Sequence, residues 1–179
     1  MIIWQLDIGS EKMIKEIRYE ISMADIDFSR KTCFLAGPTV RGHQTHLKSW
    51  RPEAVNWFSS YGFDGNIIIP EFSLPTVSDK YRYDLPAWEF EGLRKSNVIM
   101  FWVPRSRELI GLTTNYEIGY WTAKCREKVV YGRPDDAYRI HYCDIMWCED
   151  GKINQNGDQN FPIYNTLEKT VKAAMEKMT

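Results

Sequence analysis

Four apolar runs recur between residues 31 and 134, and each ends on a proline or a glycine. Cys33–Ala36 leads into Gly37-Pro38, Ile67–Ile69 into Pro70, Val98–Val103 into Pro104, and Val129–Tyr131 into Gly132. Runs of this length without polar alternation read as strands buried on both faces, the pattern of a parallel sheet. Proline stops such a strand because it lacks the N–H donor and restricts the residue before it. Helical stretches lie between the runs. Ser49-Trp50-Arg51-Pro52-Glu53 reads as a helix start with Ser49 as N-cap. Residues 86–95 and the stretch from Gly111 to about Lys124 read as two more helices. Strand and helix in alternation predict an α/β protein with right-handed crossovers.

The flanks are less regular. Residues 1–30 show no clear apolar face and read as an N-terminal extension that packs on, or swaps between, subunits; the domain proper is expected at 31–179. Residues 137–147 read as helix, and 153–164 as an Asn-rich loop ending in a short strand. Asn165 or Thr166 should cap a final helix with Leu167, Val171, Ala174, Met175 and Met178 on one face. At 179 residues and 44% apolar, one domain with a sizeable core is expected. A net charge of −1 offers no footprint for duplex nucleic acid. The four cysteines form no C-x-x-C pair and no zinc spacing, so neither a disulfide framework nor a metal site is expected, and the compartment reads as reducing and cytoplasmic. No signal peptide and no membrane-length apolar run are visible.

The chemistry gathers after the strands. Gly37-Pro38-Thr39, Glu71, Arg105, Thr113-Thr114-Asn115-Tyr116-Glu117 and Arg133 all follow predicted strands, and Glu89 comes from a helix between them. Open α/β sheets bind ligands at that edge. By position alone, Glu117 reads as a carboxylate in the first turn of a helix, complementing its dipole. Two carboxylates converging on one pocket suggest a nucleophile and a general acid/base. Gly37 allows close backbone approach to a ligand. Arg41, Arg105 and Arg133 are candidate bidentate donors to a phosphate. The Gly37-Pro38 turn lacks both the dinucleotide glycine fingerprint and the P-loop lysine, so no cofactor is expected.

Several short pieces carry a resemblance. They are Phe34-Leu35-Ala36-Gly37-Pro38-Thr39, Ser49-Trp50-Arg51-Pro52-Glu53-Ala54, Gly62-Phe63-Asp64-Gly65, Pro70-Glu71, Trp88-Glu89, Phe101-Trp102-Val103-Pro104-Arg105, Gly111-Leu112-Thr113-Thr114-Asn115-Tyr116-Glu117-Ile118-Gly119 and Gly132-Arg133-Pro134. In this order the chain resembles the nucleoside 2-deoxyribosyltransferase-like family over about residues 32–138. The resemblance implies a flavodoxin-like three-layer α/β/α sandwich with a five-stranded parallel sheet. It implies Glu117 as the nucleophile on a (deoxy)nucleoside or nucleotide, with the sugar passed to another free base. The alternatives are hydrolysis, with water as acceptor, and a nucleotide-binding module without turnover. Glu89 then contacts the base or manages its proton. Phe34 and Trp50 are candidate walls for the base, Gly37 and Pro38 its backbone neighbours, and Asn115 a ligand for a sugar hydroxyl. Arg105 joins them as a substrate-binding candidate. Homo-oligomers, dimers or higher, are implied, with sites completed by a neighbour; Asn154, Asn156 and Asn160 lie in the candidate segment. Members of that family carry an Asp six residues before the nucleophile, where this chain has Gly111.

Overall fold

A computed structural model describes residues 13–41, 44, 46–73, 84–148, 157–158 and 161–179. The strands are β1 (Lys15–Ile17), β2 (Thr32–Ala36), β3 (Asn66–Ile68), β4 (Val98–Trp102), β5 (Val129–Gly132), β6 (Gly157–Asp158) and β7 (Phe161–Tyr164). The helices are α1 (Arg51–Ser60), α2 (Leu85–Lys95), α3 (Leu112–Cys125), α4 (His141–Trp147) and α5 (Leu167–Lys177). The sheet runs β1-β3-β2-β4-β5-β7-β6. All neighbours are parallel except β6, which pairs antiparallel with β7. Taken alone, β3-β2-β4-β5-β7 has the flavodoxin-like order 2-1-3-4-5.

The strand count corrects the expectation of five. Six strands are parallel because the N-terminal segment adds β1 beside β3, in register Lys15↔Asn66 to Ile17↔Ile68. Periodicity could not reveal an edge strand of three residues that buries only Ile17. In the described part of the extension, Ile17, Met23 and Ile26 pack into the same core as Phe34, Phe101 and Tyr131.

Alternate residues of each strand feed opposite layers, as the pleat requires. Leu35, Ile67, Met100 and Val130 face one side, against Ala54 and Phe58 of α1 and Val171 and Ala174 of α5. Phe34, Ile68, Phe101 and Tyr131 face the other, against Leu93 of α2, Ile118 and Trp121 of α3, and Trp147 of α4. This is the three-layer sandwich. Thr166 caps α5 as expected, its Oγ1 accepting from the Lys169 N–H at 3.2 Å. At α1 the N-cap position falls on Trp50, one residue beyond the expected Ser49. Ser49 Oγ instead accepts from the Arg51 N–H (3.2 Å) and donates to Glu71 (2.8 Å). No helix among the described residues is long and apolar enough to cross a membrane.

The crossover through α1 lies on one face of the sheet and that through α2 on the other. The chain therefore reverses direction at β2 and β4, and a crevice opens beyond their C-terminal ends. Two glycines set its depth. Gly37 has φ +143, and a Cβ there would sit 2.1 Å from the Trp102 carbonyl oxygen. Gly111, with φ +60, would put a Cβ 2.7 Å from the Pro38 ring. The turn after β2 thus packs directly on the start of α3.

Candidate active site

A cleft of about 1130 Å³ occupies this crevice. Phe34 lines it from β2, Gly37 and Pro38 from the turn after β2, Glu89 from α2, and Glu117 from α3. Tyr19 reaches it from beyond β1. Gly111 lies on the lining, so the position where the resembling family carries an Asp is bare backbone packed on Pro38.

Glu117 is half-buried and makes no hydrogen bond or ion pair with any described residue. Its carboxyl is pushed up to about 7, first by loss of hydration and then by repulsion from Glu89, with the Arg51 charge opposing. The expectation of a dipole-stabilised carboxylate therefore fails. Because α3 begins at Leu112, Glu117 sits in the second turn, and the dipole's influence fades beyond the first.

Glu89 is raised as well, by burial, while Tyr19 and Arg51 counteract. The Tyr19 hydroxyl donates to Glu89 Oε1. Burial and the Glu89 charge push the phenol far upward, so it keeps its proton. Beneath both carboxylates lies Arg51, wholly buried. Its Nη1 meets Glu71 Oε1 at 2.6 Å, Nε donates to the Leu35 carbonyl at 3.0 Å and Nη2 to that of Gly37 at 2.9 Å. One guanidinium thus ties the end of β2 to the start of α1 and places a positive charge under the cleft.

Tyr19 and Arg51 were not singled out as site residues from the sequence. Arg51 did carry a signal: a cation in the first turn of a helix opposes the dipole, which needs a compensating reason. Tyr19 carried none.

The remaining candidates divide. Phe34, only 2% exposed, forms part of the floor, and Gly37 and Pro38 line the wall. Trp50 is buried behind the wall, its Nε1 donating to the Pro38 carbonyl at 3.1 Å, and it does not line the cleft. Arg105 and Asn115 are not on the cleft either. Arg105 Nη2 donates to Asn115 Oδ1 at 2.5 Å, on the side of α3 that faces α4. Two residues along a helix turn the side chain through about 200°, so Asn115 and Glu117 point apart. Arg133 is held by Asp144, Nη2 to Oδ2 at 2.9 Å, and Tyr131 donates to the same carboxylate at 2.8 Å. Of the three phosphate candidates only Arg41 lines the cleft, with an exposed side chain. Asn154, Asn156 and Asn160 lie outside the described residues.

Neither protein-family models nor curated proteins give a match to this chain. Its chemistry rests on its own groups. Among the described residues no set of three or more His, Cys, Asp or Glu could hold a metal ion. What the cleft presents is a pair of coupled, poorly hydrated carboxylates, one anchored by a tyrosine and one unbonded. A strongly perturbed, unpartnered carboxylate in a crevice is a candidate functional group.

Proposed function

We propose that the protein cleaves the N-glycosidic bond of a (deoxy)nucleoside or nucleotide through Glu117 and passes the sugar to a second base. The observation that carries this reading is Glu117 itself, unbonded, half-buried and opposed by Glu89 in the switch-point cleft. The order of motifs resembling the nucleoside 2-deoxyribosyltransferase-like family supports it further.

The chemistry follows from a pair holding one proton. A Glu117 oxygen attacks C1′ from the face opposite the base. The C1′–N bond breaks, its electron pair goes to the base nitrogen, and Glu89 in its acid form supplies the proton. A glycosyl ester on Glu117 results, after an oxocarbenium-like transition state. The incoming base then attacks C1′ from the vacated face, Glu117 leaves as carboxylate, and Glu89 takes the N–H proton. Configuration is retained over the two steps. Burial of both carboxylates keeps one proton on the pair near neutral pH; in the free protein it rests on Glu117 beside charged Glu89, and the reaction requires its transfer to Glu89 as the substrate binds.

A homo-oligomer is part of the proposal. Leu112 and Tyr116 of α3 are 76% and 75% exposed, and Ile110 beside them is 44% exposed. Leu112 and Ile110 also line the cleft mouth, where a second copy would close it.

The test incubates the protein with ribo- and deoxynucleosides and their 5′-monophosphates, with and without free hypoxanthine, and follows products by chromatography. Exchanged nucleoside is expected. Base release without exchange would make water the acceptor, and retention of ligand without product would leave a binding module. The kcat/KM profile should be bell-shaped with its alkaline limb near pH 7, where the pair loses its last proton. A plateau above pH 7 would remove Glu89 as the proton donor.

A further inference from the structure

The N-terminal segment brings one group to the cleft that the reaction above does not use. β1 is fixed beside β3 by Lys15 N–H to the Gly65 carbonyl (2.9 Å) and Ile69 N–H to the Ile17 carbonyl (2.8 Å). Just past it, Glu20 Oε1 accepts from the Ser73 N–H (2.7 Å), and the Ile21 carbonyl accepts from Trp88 Nε1 (2.8 Å). These bonds hold the segment from both sides. The Tyr19 ring stands between Phe72 and Trp88, with centroids 4.7 and 4.8 Å away. Trp88 precedes Glu89 on α2, so the ring packing and the hydroxyl bond address the same turn of helix. Among the described residues Glu89 accepts at Oε1 only, leaving Oε2 unbonded.

We propose that Tyr19 is a positioning residue: gripping Glu89 by Oε1, it fixes the carboxyl plane so that Oε2 is the atom presented to the substrate's base opposite Glu117. This deepens the glycosidic reading and rests on it for the identity of the base. A hydroxyl suits the task because it can donate to Oε1 in both states: to the carboxylate, and to the carbonyl oxygen of the acid whose proton sits on Oε2. Tyr19 therefore keeps hold of Glu89 in both states of the cycle. The charged groups facing Glu89 are Arg51 below and Glu117 across the cleft. Neither bonds it, so orientation falls to Tyr19.

Tyr19→Phe keeps the ring contacts and removes only the hydroxyl. Two readouts test it. In ligand-free protein, ¹³C NMR of labelled Glu carboxyls should show Glu89 taking up its proton at higher pH than in wild type, since a bond to its charged form is lost. With the nucleoside or monophosphate that the wild type turns over, kcat should fall about tenfold or more, KM should change little, and the acid limb of the profile should move up. In Glu89→Gln, adding Tyr19→Phe should change kcat no further.

An unmoved Glu89 titration in a folded Tyr19→Phe protein overturns the proposal, and so does equal loss of kcat in the Glu89→Gln background. Absence of turnover in the wild type overturns the glycosidic reading instead. The NMR titration then still decides whether Tyr19 governs Glu89.

Discussion

Helix α3 carries polar side chains on two faces, and the two behave oppositely. Toward α4, Asn115 Oδ1 accepts from Arg105 Nη2 and from Cys143 Sγ at 3.0 Å. Close by, Asp144 is filled by Arg133 and Tyr131. Toward the cleft, Glu117 accepts nothing from the described residues and its carboxyl sits near 7. Paired groups in a poorly hydrated place fix a structure, because removing one partner leaves the other unsatisfied. An unpaired carboxylate there costs stability and keeps its lone pairs for a ligand. The residues on both faces looked equally functional in the sequence; partnering separates them.

The largest effect should come from Glu117→Gln. Activity should fall at least ~10³-fold, the scale for losing a nucleophile, while the fold gains stability at alkaline pH. The sign is set by linkage. The folded pKa lies above the unfolded value, so the wild type loses stability as pH rises from about 4.5 to about 7. Gln has no such loss. Urea unfolding at pH 8 should show the variant more stable by ~2 kcal/mol, and at pH 5 close to equal. A variant destabilised at pH 8 would make Glu117 a structural residue.

On the opposite face the pattern should invert. Arg133→Leu leaves Asp144 charged and mostly buried, so unfolding free energy should drop by about 3 kcal/mol. Turnover per folded molecule should be nearly unchanged. Asn115→Ala is milder: Arg105 Nη2 loses one acceptor, a loss of ~1–2 kcal/mol, with kcat/KM within about threefold of wild type. A collapse of kcat in a stable Asn115→Ala protein would put Asn115 in the site after all and erase the contrast between the faces.

How far the sequence could see follows from the same physics. The central strands were legible because unbroken apolar runs closed by Gly or Pro admit few other readings. Thr166 was legible because capping is a local rule. Glu117, Glu89, Phe34, Gly37 and Pro38 reached the cleft because strand ends in an α/β sheet converge. β1 stayed hidden, since one buried residue in three gives no period. Tyr19 depends on β1 and was hidden with it. Trp50, Arg105 and Asn115 lie off the cleft for a different reason. They lie next in sequence to cleft residues, but rotation about a helix or the packing of a turn directs them elsewhere. Proximity along the chain locates a loop; it does not aim a side chain.

Arg41 stands on the cleft's exposed rim. Its backbone N–H donates to Gln44 Oε1 at 2.9 Å, and Gln44 Nε2 in turn donates to the Glu108 carbonyl at 2.5 Å, so the loop after β2 is tied to the loop after β4. The Arg41 guanidinium has no carboxylate partner among the described residues, unlike Arg51 and Arg133. A free guanidinium at the mouth of a cleft with two carboxylates deeper in can orient a substrate whose negative end points outward. Arg41→Gln should therefore raise KM about fivefold for a nucleoside 5′-monophosphate, the scale of one exposed charge contact, and leave the unphosphorylated nucleoside unaffected. The ratio of the two KM changes is the measurement. Equal changes would mean that Arg41 shapes the loop and not the ligand, and the rim would then resemble the α4-facing side of α3 more than the side that lines the cleft.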